Sequence, residues 1–514
     1  MKLSTYQQTI LEWTRNSSGS AAIDAKAGSG KTSTLVKVVA PEIRGCANFV
    51  AFNKHIADEL SARLPRNVGA STIHSSGFRA IRKRHPRTKV DANKGKILVG
   101  ASLEKIKGTG RDMFHREVPG ARTLLSDYEA TQDVRHKSIK LSDLCRSTLT
   151  NPEDDLALMQ LASDQDIELS SQELLVVSAI VADALRESRR TAPSVVDFAD
   201  MIWLPATDGN IVPDAFDWLL VDEAQDLSSA QLATVRKMLG VGGRFLAVGD
   251  PRQAIYAFAG ADASSFSKVV MFAGGKTLPL NVCYRCPTSH LDLARQIVPE
   301  IESAPGAIEG VVRDLSERDL PSDARSGDLV VCRLTAPLVS LCLRLVRSGV
   351  PAYVRGQDLA ASLRAICVEI SGASKTRARG MRVTALVGKI DGWLYGRISE
   401  LDERRVPSDA PIRIALADKA EIVRSVAQTM PPTAIVSDMD NVFAELFRVR
   451  DNAVVLSTVH RAKGLEADRV YIASPDKMPL SFVKRPAAVQ QEWNLRYVAL
   501  TRAKSELIFV EGEQ

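Results

Sequence analysis

The run Ala25-Lys26-Ala27-Gly28-Ser29-Gly30-Lys31-Thr32 brings small residues, two glycines, two lysines and two hydroxyl side chains into one short stretch. It follows the apolar Ala21-Ala22-Ile23 and precedes Leu35, Val36, Val38 and Val39, an order that reads as strand, tight turn, helix. In that arrangement the backbone N–H groups of the turn and the helix N-terminus surround a phosphate. Lys31 reaches the β- and γ-phosphates, and Thr32 is placed to hold Mg²⁺. Ala25 stands where a glycine is usual. The close approach to phosphate falls later, at Gly28 and Gly30, so the added methyl is tolerated. Ala27, Gly28, Ser29, Gly30, Lys31, Thr32 and Ser33 are the candidate contacts to a nucleoside triphosphate.

A second group completes that chemistry. Phe216-Asp217-Trp218-Leu219-Leu220-Val221 reads as a buried strand that ends in Asp222-Glu223-Ala224-Gln225-Asp226. Open α/β sheets bind ligands at the carboxyl ends of their strands, so these acids fall where a ligand would sit. Asp222 is a candidate Mg²⁺ ligand with Thr32. Glu223 is a candidate general base for the attacking water. A phosphate loop and an acidic strand end together point to hydrolysis of a nucleoside triphosphate.

Those loops need elements to carry them. At 514 residues the chain exceeds what one hydrophobic core supports. Its 67 basic and 61 acidic residues leave a net charge of +6, a mild excess compatible with a polyanionic partner. Cys46–Phe52, Asp217–Val221 and Arg244–Val248 read as strands. So do Asp328–Cys332, Ala453–Ser457, Arg469–Ala473 and Glu506–Val510, with helical spacing between them. This alternation predicts an α/β fold of parallel sheets covered on both faces. Residues 85–195 and 366–445 break the alternation and read as insertions. The first begins at the basic Arg82-Lys83-Arg84-His85, and the second holds Lys375, Arg377, Arg379 and Arg382. Seven scattered cysteines read as reduced thiols of a cytosolic compartment. Cys283 and Cys286 have no second Cys or His pair at zinc spacing. No apolar stretch reaches the ~18 residues that span a bilayer, so no membrane is expected as a partner.

Further motifs surround the two chemical segments. Ala247-Val248-Gly249-Asp250-Pro251-Arg252-Gln253 runs on to Tyr256-Ala257-Phe258. Leu3-Ser4-Thr5-Tyr6-Gln7, Ala51-Phe52-Asn53-Lys54, Thr72-Ile73-His74-Ser75 and Val196-Asp197-Phe198-Ala199-Asp200-Met201 precede it. Leu280-Asn281-Val282-Cys283-Tyr284-Arg285, Leu456 to Glu466, and Gln491 to Ala503 follow. In this order the set resembles the UvrD/Rep-type superfamily 1 helicases, and the F-box and phage members most in size and wording.

The resemblance implies two RecA-like parallel-sheet lobes with ATP in a cleft between them and a mainly helical insertion in each. Residues 1–84 and 196–280 would form lobe one, and 281–365 and 446–514 lobe two. Residues 85–195 and 366–445 would be the insertions, the second one short for the family. Lys31, Asp222, Glu223, Gln253, Arg285 and Arg502 would be catalytic, with Gln253 sensing the γ-phosphate and the two arginines supplied by lobe two. Gln7 would read adenine, Tyr284 would stack on it, and Glu466 would lie near the sugar and phosphates. Phe52, Asn53, Lys54, Thr72, His74, Tyr256, Phe258, Thr458 and His460 would meet DNA.

The implied activity is ATP- and Mg²⁺-dependent movement 3′ to 5′ on single-stranded DNA, with separation of duplex strands at single/double-strand junctions. A translocase that displaces bound proteins with little unwinding is a second reading, and an ATP-switched repair or recombination regulator a third. The expected working unit is a monomer, with repair or replication proteins as partners. The expected setting is the cytoplasm of a bacterial or phage-infected cell, on the nucleoid when bound to DNA.

Overall fold

The computed structural model of the protein describes residues 3–51, 53–165, 167, 169–255, 265–372, 375–403 and 406–512. It divides into two compact units, one of Met1–Lys26 with Gly30–Asn281, the other of Ala27–Ser29 with Val282–Gln514. Each is built on a parallel sheet, the two-lobed α/β class that the sequence implies. No helix among the described residues is long and apolar enough to cross a membrane.

The first sheet contains β1 (Ala21–Ala25), β2 (Ala47–Ala51), β3 (Val68–Thr72), β4 (Phe216–Val221), β5 (Leu239–Gly249) and β6 (Thr277–Leu280), in the order β3-β2-β4-β5-β1-β6. Every pairing is parallel. Such sheets are covered on both faces, which is why β2 reads Ala-Asn-Phe-Val-Ala and is buried throughout. Side chains alternate between faces. Ala21, Ile23, Phe49, Leu220 and Val248 join one core with Ile10, Leu35 and Val39. Ala22, Val50, Leu219, Val221 and Ala247 join the other with Phe266 and Val269.

Between β3 and β4 the chain makes a helical excursion, with long helices at Lys94–Thr109, Tyr128–Thr148 and Ser171–Thr191. A capping box of Ser170 and Glu173 starts the last of these. Val99, Leu103, Ile106, Leu141, Val177 and Ile180 fill a core of its own. Lys89–Val90 pairs with Val195–Val196 where the chain enters and leaves.

A buried ionic network lies beside that pairing. Arg146 Nη1 donates to Asp197 at 2.8 Å and to Asp200 at 3.1 Å. Lys94 Nζ reaches Asp200 at 2.7 Å, and Ser188 Oγ donates to it at 2.8 Å. All of these groups are buried. The two acids of the segment Val196–Met201 thus tie helices of the excursion together, which is a structural role. Arg146→Met leaves those carboxylates short of a cation in a dry interior. Loss of about 3–5 kcal/mol is expected, read as a lower urea midpoint.

The second sheet contains β7 (Val311–Ser316), β8 (Leu329–Cys332), β9 (Ala352–Val354), β10 (Val454–Thr458), β11 (Ala467–Ala473) and β12 (Ala503–Glu511), in the order β7-β12-β11-β8-β10-β9, again parallel. Helices Val383–Glu403, Pro411–Gln428 and Val436–Leu446 lie between β9 and β10 in sequence. Their Leu386, Ile390, Ile422, Val426 and Phe443 enter the same core as Val330, Val454 and Leu456 of the sheet. This segment is thus an extension of the second unit's core.

Candidate active site

In a parallel sheet all strands deliver their carboxyl ends to one edge. Along that edge of the first unit the order of β3, β2, β4, β5 and β1 sets out the following groups in turn: Thr72–His74, Asn53–Lys54, Asp222–Glu223, Asp250–Gln253, and Lys26 with Gly30–Thr32. The candidate phosphate and metal groups follow β4, β5 and β1. The candidate strand-side groups follow β3 and β2.

Gly28 has φ 68° and Gly30 has φ 76°, left-handed values that favour glycine. The helix after them opens at Lys31–Thr34 and passes through a π-helical turn at Leu35–Val39. Ser29 Oγ is buried without a hydrogen-bond partner. An orphaned hydroxyl inside a positive-φ glycine loop suits a phosphate oxygen as its missing partner.

Lys31 Nζ lies 2.9 Å from Glu223 Oε2. Burial opposes its charge, but Glu223, Asp250 and Asp222 outweigh that and raise its pKa. Thr32 Oγ1 donates to Asp222 Oδ2. Burial, then the neighbouring Glu223, pushes the Asp222 carboxyl up to about 6. Burial also pushes Asp250 up to about 6, against the pull of Lys31 and Lys26. Three carboxylates face one lysine, and a divalent cation would balance the excess negative charge. Thr32 and Asp222 fit that ion as oxygen donors, leaving its other positions to phosphate oxygens and water.

Glu223 itself has φ 49°, unusual for a residue with a side chain, at the start of the turn Ala224–Asp226. Gln253 is buried on the turn Pro251–Gln253, where Asp250 Oδ1 accepts from Arg252 N at 3.0 Å. A cavity of about 20 Å³, large enough for one water, is lined by His74, Asp222, Glu223, Asp226 and Gln231 among others.

Gln7 is buried, and both ends of its amide are engaged. Oε1 accepts from Ser4 N at 3.1 Å, and Nε2 donates to Thr34 Oγ1 at 3.1 Å. An amide keeps a second lone pair and a second N–H, so reading a base would have to share these bonds.

In the second unit, Arg285 pairs with Glu466, and its Nη1 donates to Thr501 O at 3.1 Å. Arg502 is buried; its Nε donates to Val498 O at 2.9 Å and its Nη2 to Thr501 Oγ1 at 3.4 Å. Thr501 thus brings both guanidiniums and Glu466 into one group. Tyr284 beside them is half exposed.

The strand-side candidates double as helix caps. Asn53 Oδ1 accepts from Ile56 N at 2.9 Å, and Thr72 Oγ1 accepts from Ser75 N at 3.1 Å. Lys54 is exposed. His74 is half buried, and burial lowers its pKa. Thr458 stands at the N-cap position of the short helix Val459–Ala462, without a side-chain cap bond. Burial, helped by Arg333, pushes His460 down to about 3, so this imidazole is neutral. Phe52, Tyr256 and Phe258 lie outside the described residues.

The sequence alone assigns no role to Gln225, Asp250 or Thr501, although each sits inside a quoted motif. Their importance comes from which neighbours they join.

Comparison with known proteins meets this geometry from the other side. Residues 5–271 match the UvrD/REP helicase N-terminal domain, and residues 432–514 match the UvrD-like helicase C-terminal domain. The chain belongs to the UvrD/REP helicase family. The first of those matches contains the whole Lys31–Asp222–Glu223–Gln253 set, and the second contains Glu466 and Arg502.

Among UvrD/REP relatives, F-box DNA helicase protein 1 of Schizosaccharomyces pombe is 24% identical, across 98% of this chain and 57% of that protein. F-box DNA helicase 1 of Gallus gallus is 26% identical, across 100% of this chain and 49% of that protein. ATP-dependent DNA helicase UvrD2 of Mycobacterium tuberculosis is 24% identical, across 95% and 76%. The chain spans about half the length of the two F-box relatives. These relatives also correct one expectation. A bacterial or phage-infected cytoplasm is not supported, because the F-box DNA helicases it matches come from a yeast and a bird.

Proposed function

We propose that the chain is an ATP-dependent DNA helicase or translocase that hydrolyses ATP with Mg²⁺ to move 3′ to 5′ on single-stranded DNA and part duplex strands. The observation that carries this is the joined set Lys31, Thr32, Asp222 and Glu223 on one sheet edge of a UvrD/REP family member. Lys31 and the N–H groups of the Gly28–Gly30 turn hold the β- and γ-phosphates. Mg²⁺ held by Thr32 and Asp222 would neutralise phosphate charge. Glu223 orients a water and takes its proton as the water oxygen attacks the γ-phosphorus and the bond to ADP breaks. Gln253 reports the γ-phosphate. Arg285 and Arg502 supply guanidiniums for the charge on the transferring group, so hydrolysis is coupled to movement of the second unit.

In the same reading, residues 1–84 with 196–280 and residues 281–365 with 446–514 are the two motor lobes, and 85–195 and 366–445 are accessory segments. The partners are single strands and single/double-strand junctions, engaged by a monomer.

The test is ATP turnover with and without single-stranded DNA, then unwinding of duplexes with 3′ or 5′ tails. Stimulated turnover with unwinding from 3′ tails is expected. Unwinding from 5′ tails alone overturns the polarity. Stimulated turnover without strand separation favours the protein-displacing translocase, to which the shortness of 366–445 points. Affinity for an oligonucleotide should fall with salt, with a logarithmic slope of about −0.7 per phosphate contacted. A flat titration counts against a groove that tracks the backbone.

A further inference from the structure

Gln225 is buried and bridges two parts of the catalytic edge. Its Nε2 donates to Glu223 Oε2 at 2.7 Å. Its Oε1 accepts from the backbone N–H of Asp250 at 3.0 Å. The carbonyl of Asp250 in turn accepts from Gln253 N at 2.9 Å. One side chain therefore connects the candidate base to the turn that carries the candidate γ-phosphate sensor. The two ends demand opposite polarities, a donor toward a carboxylate and an acceptor toward a peptide N–H, and the glutamine amide supplies both, on two separate atoms. Length matters too, since asparagine is one methylene short of the span. The seat is tight: a Cβ on Gly249 would fall 2.6 Å from Gln225 Oε1, and β5 ends in a glycine there.

We propose that Gln225 is a positioning residue that sets the place of the Glu223 carboxylate from the Asp250–Gln253 turn. A shift of that turn on nucleotide or strand binding then moves the base with it. This assignment rests on the ATP-hydrolysis reading above. Gln225 touches neither water nor phosphate in this scheme and acts through Glu223.

The experiment uses the full chain with Mg²⁺, oligo-dT and a fluorescent ATP analogue. Gln225→Asn and Gln225→Glu should lower kcat by about 10²-fold, the cost of a misplaced group, while analogue affinity stays within about twofold. The same substitutions made on Glu223→Gln should cause no further loss, because their effect passes through Glu223. Glu223→Gln with Gln225→Glu reverses donor and acceptor. It should regain the thermal stability lost by Gln225→Glu alone, without regaining turnover. The assignment is overturned if Gln225→Asn turns over normally while Glu223→Gln is inactive. It is equally overturned if the losses at the two positions add in full. A wild-type chain with no ATPase activity removes the function reading itself, and this assignment with it.

Discussion

Glu223→Gln is expected to bind ATP with near-normal affinity and to lose turnover by about 10²- to 10⁴-fold. The substitution keeps size and shape, so the left-handed backbone at this position is disturbed little, and the amide oxygen can still accept from Lys31 while Asp222 and Asp250 keep their charge beside it. What disappears is the ability to take a proton from water. Single-turnover hydrolysis, measured beside equilibrium binding of a fluorescent analogue, separates the two effects. Turnover within about tenfold of wild type would remove Glu223 from the role of base.

Lys31→Ala should act earlier and more broadly. The ammonium sits among Asp222, Glu223 and Asp250, and those carboxylates are what hold it charged in a buried place. Removing it strips the pocket of its cation and leaves phosphate facing uncompensated acids. Nucleotide affinity should drop, and turnover should fall by about 10³-fold, as when a preorganised charge donor is deleted from a dry site. Lys31→Met is the companion variant, since it restores the aliphatic stem without the charge. Equal loss in both assigns the effect to charge. Recovery in Lys31→Met would assign it to packing and sink the phosphate-contact role.

The two variants differ in what they leave behind. Glu223→Gln should still load nucleotide and still grip a single strand in a nucleotide-dependent way. Lys31→Ala should not respond to nucleotide at all. Strand affinity measured with and without ATP therefore sorts them.

Much of the candidate site is readable along the chain because its demands are local. Positive φ at Gly28 and Gly30 calls for glycine wherever the loop lies in the fold. Apolar runs ending in acids mark strand ends, and β4 stops at Val221, immediately before Asp222. The strands at Ala47–Ala51, Val454–Thr458 and Ala467–Ala473 fall within a residue or two of the hydrophobic runs that announce them. Val68–Thr72 and Thr277–Leu280 are less legible. The first carries Gly69, Ser71 and Thr72, and the second is short and contains Pro279, so neither presents a clear apolar run.

Gln7 carries two signals in one stretch of chain. Ser4-Thr5-Tyr6-Gln7 has capping-box spacing, and the structure forms that box, which occupies the amide expected to face a base. Asn53 and Thr72 follow the same logic as caps.

The amino-acid sequence alone determined the chemical inventory: a phosphate loop with a lysine and a hydroxyl after one strand end, and two acids after another. It also determined the α/β class, through periodicities that need no knowledge of distant partners. Tertiary structure decided which inventories meet. The order β4-β5-β1 sets Asp250 between the phosphate loop and the acidic strand end, and lets Gln225 span from Glu223 to Asp250. Arg285 reaches Thr501, and so the neighbourhood of Arg502 next to it in sequence, by the same kind of long-range placement. The physical reason is that strand order arises from hydrogen-bonded pairing between segments far apart in the chain, which no local propensity encodes.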